Sequence, residues 1–191
     1  PTLKNYYVDT NSYNSYNVNR AKQLLAEAGY PNGFDMTIKV PSNYTFHMET
    51  AQVVAEQLKA AGINARIEGI EWSSWLSDVY ANRDYQATIC ALTADLTPSS
   101  LLVRFTSGYS KNFVNFSDAE YDKVYAEAQA SLDDNVRKEK YAKLQQILAE
   151  KEGSVFIQAA ALLVAKNKDL AGYKFYPVYV QDMSTVYYIK K

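Results

Sequence analysis

Apolar residues recur along this chain in two rhythms, and the switches between them mark out its elements. The first sixteen residues, rich in Tyr and Asn, show no helical period and read as a lead-in loop. Asn17 then stands where an N-cap belongs, and Ala21, Leu24, Leu25 and Ala28 follow the i, i+3, i+4, i+7 spacing of one apolar helix face. Gly29 supplies a stop and Pro31 bars continuation. From Phe34 to Val40 the rhythm changes: Phe34, Met36, Ile38 and Val40 alternate with polar neighbours, the period of a strand. A second helix is predicted from about Thr45 to Ala61, with Phe46, Val53, Val54, Leu58 and Ala61 on one face and Gly62 at its end. Ile63 to Ile70 reads as a strand with Ile63, Ala65 and Ile67 on one side. A short helix from Ser73 to about Asn82 follows, and then Tyr85 to Leu92, apolar enough for a central strand.

Strand, helix, strand, helix, strand in that order predicts an α/β layer architecture with crossover connections. Thr93 to Asn115, holding Pro98, Gly108 and many hydroxyls, reads as a long functional loop carrying one helical stretch, Ser99 to Phe105. Ser117-Asp118-Ala119-Glu120 has the form of a capping box, ahead of an apolar face of Tyr121, Val124, Tyr125 and Ala128. A further helix is expected from about Asp134 to Glu152, with Tyr141, Leu144 and Leu148 inward and Gly153 at its end. Val155 to Val164, apolar but for Gln158, reads as a closing strand, and Tyr- and Lys-rich segments follow. With no internal repeat and no Gly/Ser linker, residues 1–191 are expected to form a single domain.

Composition narrows the functions open to such a fold. No run approaches the ~18 consecutive apolar residues that span a bilayer. The net charge of −1 is spread in mixed signs, so the basic stripe that neutralises phosphates is missing and nucleic acid is not an expected partner. Cys90 is the only cysteine and His47 the only histidine, which leaves no intrachain disulfide and no cysteine-based zinc cluster. His47, near the start of a predicted helix, is expected to be a surface or capping histidine, and no metal ligands are assigned. The unusual count is 17 tyrosines, a residue type favoured on recognition surfaces, although most are expected to sit half-buried in the fold or on its outside.

Catalytic signatures are scarce. The chain holds no G-x-S-x-G elbow, no P-loop and no G-x-G-x-x-G, and its carboxylates, such as Glu150 and Glu152, fall mostly on predicted solvent faces. The reading is of a protein that is not an enzyme, with no catalytic residues and no cofactor. Its first residue is Pro1, with no initiator Met and no charged-then-apolar leader, which leaves two readings open: a signal segment removed, or a piece excised from a longer protein.

Several segments carry a resemblance. Tyr16-Asn17-Val18-Asn19-Arg20-Ala21-Lys22-Gln23-Leu24-Leu25-Ala26-Glu27-Ala28-Gly29-Tyr30 is similar to a Y-D-P-x-x-A-K-x-L-L-x-E-A-G-Y helix, with Asn17 and Val18 in place of the Asp and Pro. Gln57-Leu58-Lys59-Ala60-Ala61-Gly62-Ile63 is similar to a Q-L-x-x-x-G-I junction into a strand. Glu71-Trp72, Asp84-Tyr85 and Ala94-Asp95 follow in the order E-W, x-Y-D, W-x-x-D. Asn115 with Asp122, and Arg137, Tyr141, Gln145, Ile147 and Leu148, fit two later helices. In order and spacing, over roughly residues 15 to 165, these resemble the family 5 extracellular solute-binding proteins, which bind oligopeptides, dipeptides, nickel chelates and some sugars.

The resemblance implies a periplasmic-binding-protein-like lobe, a mixed sheet flanked by helices, forming the C-terminal half of a two-lobed clamshell. It implies an extracytoplasmic place, in a periplasm or at a cell surface as a membrane-anchored lipoprotein. The implied partners are a peptide or small-molecule ligand, the permease subunits of an ABC importer, and the N-terminal lobe of the same parent. At the site, Asp95 would pair with a peptide's α-amino group, Ala91, Leu92 and Thr93 would offer main-chain groups to an extended ligand, and Trp72 would line a pocket. Two departures bear on the ligand: Leu92 stands where the family usually has Trp, and Thr88 and Ile89 stand where some oligopeptide binders carry an arginine. A metal chelate or an oligosaccharide is the alternative ligand, and an α/β enzyme using the 93–115 loop a further one.

Overall fold

The structure, a computed structural model, describes residues 3–93, 96–159, 163–176 and 181–189. The lead-in contains a single turn of 3-10 helix, Lys4–Tyr6. It docks on a distant helix, where Gln145 Nε2 donates to the Tyr6 carbonyl at 2.7 Å and the Tyr6 hydroxyl donates to Asp134 at 3.0 Å. Helix α1 (Val18–Glu27) starts at Asn17, whose side chain accepts from the Arg20 amide at 2.9 Å. Its expected apolar face is left mostly open, with Leu24 and Ala28 exposed and no residue fully buried.

Strand β1 (Phe34–Pro41), helix α2 (Thr45–Ala61) and strand β2 (Ile63–Ile70) form the crossover unit that the hydrophobic pattern predicts. β1 and β2 pair in parallel along their whole length, from Phe34 opposite Ile63 to Pro41 opposite Ile70. Gly62, at φ +99°, turns α2 straight into β2; few other residues would adopt that backbone without strain. Ile38, Val40 and Ala51 are the buried centre of this layer, with Val54, Leu58, Ala65 and Ile67 packed on it. The face of α2 differs from the expectation. His47 and Ala51 point inward with Val54 and Leu58, while Phe46 and Val53 are exposed. Residues 47, 51, 54 and 58 are one helical stripe, and docking on the sheet selects it over the stripe with more apolar atoms.

After β2 the chain makes one α-turn, α3 (Trp72–Ser74), and runs into a π-helical segment, Trp75–Ala81, where a single α-helix was expected. Strand β3 (Ala87–Thr88) is far shorter than the predicted 85–92 and pairs in parallel with β1 at Ile38 and Lys39 only. Side chains hold its approach. The Thr37 amide donates to Gln86 Oε1 at 2.7 Å, and Lys39 Nζ donates to the Asp84 carbonyl at 2.7 Å and its carboxylate at 2.9 Å. Beyond Thr88 the ladder has little to join, because β1 ends at Pro41, which has no N–H to give. The three-stranded sheet, in the order β2-β1-β3, is therefore wholly parallel.

The second half is helical. Helix α4 (Ser99–Leu102) tightens into a 3-10 turn, Val103–Phe105, matching the expected stretch. Helices α5 (Ala119–Ala130) and α6 (Asp134–Glu150) pack together around Tyr121, Val124, Ala128, Tyr141, Leu144, Ile147 and Leu148, with Leu102 and Phe105 closing the cluster. The α5 cap is Asp118 and not Ser117: its carboxylate accepts the Tyr121 amide at 2.8 Å. Glu120 is drawn across to Lys143 of α6 at 3.1 Å, so the reciprocal half of a capping box never forms. The expected closing strand is also missing. Residues 155–159 and 163–164 carry no secondary structure, and 160–162 lie outside the described residues. Farther on, β4 (Leu170–Ala171) and β5 (Tyr187–Tyr188) form a separate antiparallel pair.

Candidate functional site at the carboxyl edge of the sheet

In open α/β sheets ligands settle in the crevice outside the carboxyl ends of the strands. Here three connections leave that edge: residues 42–44 after β1, 71–75 after β2 and 89–93 after β3. The first two are tied together by polar groups. The Ser42 amide donates to the Ile70 carbonyl at 2.8 Å. Asn43 accepts from the Trp72 amide at 2.9 Å through Oδ1 and donates to Glu71 at 3.2 Å through Nδ2. One asparagine side chain thus fixes where α3 begins.

That placement builds an aromatic wall. Trp75 is 2% exposed, and its indole N–H donates to Thr88 Oγ1 at 2.9 Å, which donates in turn to the Lys39 carbonyl at 2.7 Å. Trp72 lies flat on Trp75, centroids 5.1 Å apart and planes 5° from parallel, with 37% of its own surface open. Tyr44 meets Trp72 edge-on at 5.5 Å and Phe46 edge-on at 6.0 Å, and both are exposed. A rigid inner indole therefore supports an outer, part-exposed one, an arrangement suited to contact with a flat or apolar group.

His47 sits behind this wall. It is 5% exposed, between Phe46 at 4.1 Å and Tyr44 at 5.1 Å, and neither ring nitrogen has a hydrogen-bond partner among the described residues. The expectation of a surface or capping histidine is overturned. The ring occupies the first position of the buried stripe of α2, and burial holds its pKa below the ordinary 6.5. Among the described residues no group of three or more His, Cys, Asp or Glu is placed to hold a metal ion.

On the other flank, β3 runs out into Ala91, Leu92 and Thr93. All three are exposed, and none makes a backbone hydrogen bond among the described residues. Cys90, one residue earlier, packs against the Trp75 and Phe113 cluster, and burial pushes its thiol up to about 11. Asp95 lies outside the described residues. The structure thus has Trp72 follow β2 and Ala91–Thr93 follow β3 at the carboxyl edge, with the exit of β1 between them in the strand order. Asn43, Tyr44 and Phe46 were not singled out as site residues by sequence reasoning. Their only signal was a polar-aromatic cluster just after a strand.

Two further concavities lie elsewhere. Hollows of about 350 and 290 Å³ sit on the polar face of the sheet, beside Lys39, Asp84 and Gln86 and beside Asp35, Asn64 and Arg66. Charges there are already paired, Lys39 with Asp84 at 2.9 Å and Arg66 with Glu68 at 3.1 Å. The strand ends present main chain unpaired among the described residues and part-exposed aromatic rings instead, and they form an open wall, not an enclosed pocket.

Comparison with known proteins bears on the family and the fold. The family model described as bacterial extracellular solute-binding proteins, family 5 Middle, matches residues 1–113. Oligopeptide-binding protein AppA of Bacillus subtilis is 29% identical over 177 residues, covering 85% of this chain and 33% of AppA. A putative peptide binding protein AppA from Clostridium difficile shares the fold, with a TM-score of 0.85 at 24% identity over 96% of this chain and 39% of that one. Haemophilus influenzae OppA, solved in complex with RPPGFSPFR, gives a TM-score of 0.70 at 27% identity, covering 80% of this chain and 32% of OppA. The chain spans about a third of the length of the relatives it matches.

Proposed function

This chain belongs to the family 5 bacterial extracellular solute-binding proteins, and from that premise we propose that it forms one wall of a peptide-capturing site in the substrate-binding component of an ABC importer. The carrying observation is the carboxyl edge itself, where an exposed indole, backed by a buried one, stands beside a strand end with unpaired main chain. An extended peptide hydrogen-bonds such a strand end irrespective of its side chains. The part-exposed ring of Trp72 takes an apolar side chain. Asp95, two residues past Thr93, pairs with the ligand ammonium, a charge-assisted bond of about 1.5–3 kcal/mol. The protein binds and does not catalyse. It works outside the cytoplasmic membrane, in a periplasm or held at a cell surface, and hands its ligand to the permease subunits. Among the described residues no helix is long and apolar enough to cross a membrane.

The opposite wall belongs to the N-terminal lobe of the same parent, with closure of the two around the ligand completing the site. In this reading residues 1–191 are a single domain, the C-terminal lobe. The test is calorimetric titration of the full-length parent with a mixed di- to hexapeptide library, repeated with Asp95→Asn and Trp72→Ala. Each substitution is expected to weaken binding by roughly tenfold or more, about 1.4 kcal/mol. Peptide binding that neither variant changes would remove this edge from the site. Binding of an oligosaccharide in place of peptide would turn the same aromatic wall to a sugar ring. A metal chelate held through His47 has little support, since that ring is closed to solvent.

A further inference from the structure

Helix α3 begins without a cap of its own, since Glu71 at its N-cap makes no side-chain capping bond. The Trp72 amide is therefore one of the orphan donors of a helix start. Asn43, 29 residues earlier in the chain, supplies the acceptor through Oδ1 at 2.9 Å. Its Nδ2 donates to the Glu71 carboxylate at 3.2 Å. Next to it, Ser42 donates twice to the Ile70 carbonyl, from its amide at 2.8 Å and from its hydroxyl at 3.0 Å. The loop after β1 is thus laced to the loop after β2. An ionised carboxylate can only accept, so Glu71 draws Nδ2 to itself and leaves Oδ1 for the Trp72 amide.

The outer rings of the aromatic wall grow directly from these laced residues. Tyr44 follows Asn43 and Trp72 follows Glu71, and the two rings meet edge-on at 5.5 Å. The flat contact with Trp75 sets the tilt of the Trp72 ring, and the bond on its own amide sets where its main chain lies. We infer that Asn43 is a positioning residue for ligand capture, one that holds Tyr44 and Trp72 at a fixed spacing before the ligand arrives and acts on the ligand through Trp72. The inference rests on reading this edge as the peptide site. A wall ordered beforehand leaves the ligand less to order. The gain falls on ligands with a flat side chain to lay against the indole, so Asn43 sharpens the preference for an aromatic over a small residue there.

The test is calorimetric titration of the full-length parent with Ala-Tyr-Ala and with tri-alanine, alongside thermal unfolding of each variant. Asn43→Ala is expected to weaken Ala-Tyr-Ala about three- to tenfold, and tri-alanine clearly less. In a Trp72→Ala background the same substitution should cost Ala-Tyr-Ala nothing further, because the two residues act through one contact. Asn43→Asp keeps the acceptor but sets a carboxylate against Glu71, and it should weaken binding as Asn43→Ala does. Adding Glu71→Gln to Asn43→Asp exchanges donor and acceptor between the two side chains and should restore it. A merely structural role has another signature: equal losses for both peptides, additive with Trp72→Ala, and no recovery on the exchange. That pattern overturns the inference. Loss with Trp72→Ala but none with Asn43→Ala also overturns it, and leaves the peptide site standing. If Trp72→Ala costs Ala-Tyr-Ala nothing, the edge is not the site and both readings fall.

Discussion

At Tyr121 and at His47 the chain buries a polar ring in apolar company, and the two regions handle it differently. Tyr121, fully buried between α5 and α6, donates its hydroxyl to the Leu102 carbonyl at 2.7 Å, and burial pushes its pKa far up. His47, behind the aromatic wall at the sheet edge, has no partner on either nitrogen among the described residues. The surroundings repeat the contrast. Across the helix pair Lys140 meets Glu127 at 2.7 Å and Lys143 meets Glu120 at 3.1 Å, while Ala91–Thr93 leave their main chain unpaired among the described residues and Trp72 is part-exposed. Helices α5 and α6 find most of what they need inside the chain, the buried Arg137 Nε excepted. The sheet edge does not, and groups left unmet at the mouth of strands are those a ligand or a facing wall can meet.

The sharpest way to break this comparison is to cut into each region and compare the loss. Leu144→Ala, at a fully buried position in the helical cluster, should cost about 2–5 kcal/mol in urea unfolding, transfer and cavity together. Trp72→Ala should cost clearly less stability, because its ring is part-exposed, while weakening ligand binding. If the two variants lost equal stability, the edge would be core and the distinction would fall. Next in size is Tyr121→Phe, which keeps the ring and removes the buried hydrogen bond to the Leu102 carbonyl, for a loss of about 0.5–1.5 kcal/mol. A neutral result would mean that another donor reaches that carbonyl.

The same contrast decides what was legible in the sequence. Where a residue's partners are close in the chain, the pattern names the element. The bounds of α2 follow from the turn at Gly62, and the inward face of α5 from Tyr121, Val124 and Ala128. Where the partner is distant, the pattern misleads. The apolar positions of α2 point through Phe46 and Val53, and only docking on the sheet turns the polar His47 inward. The apolar runs 85–92 and 155–164 were both read as full strands. Periodicity reports a readiness to be buried; it says nothing of whether a donor-bearing neighbour is present. The first run meets Pro41 and stops after two residues, and the second finds no neighbour among the described residues. For the site, Trp72 and Ala91–Thr93 came from the family resemblance, while Asn43 became visible only once two loops were placed side by side.

The smallest expected effect is the most informative about the edge. The unfolded chain takes up a proton at His47 near the ordinary value of 6.5, whereas the folded chain, with the ring buried and unpartnered, takes it up only at lower pH. The contribution is therefore complete above about pH 6.5 and is lost as pH falls through the folded pKa. His47→Phe removes that dependence and leaves no nitrogen to desolvate. At pH 8 the variant should lie within about 1 kcal/mol of the wild type, and at pH 5 it should be relatively more stable. Thermal unfolding of both at the two pH values reads this directly; curves that shift in parallel would mean that His47 is solvated after all. The full-length parent sharpens the result. If the difference between pH 8 and pH 5 persists there, His47 is a packing residue of this body. If it disappears, a group outside these residues supplies the partner that the ring lacks here, and the closed side of the aromatic wall is completed from beyond the chain.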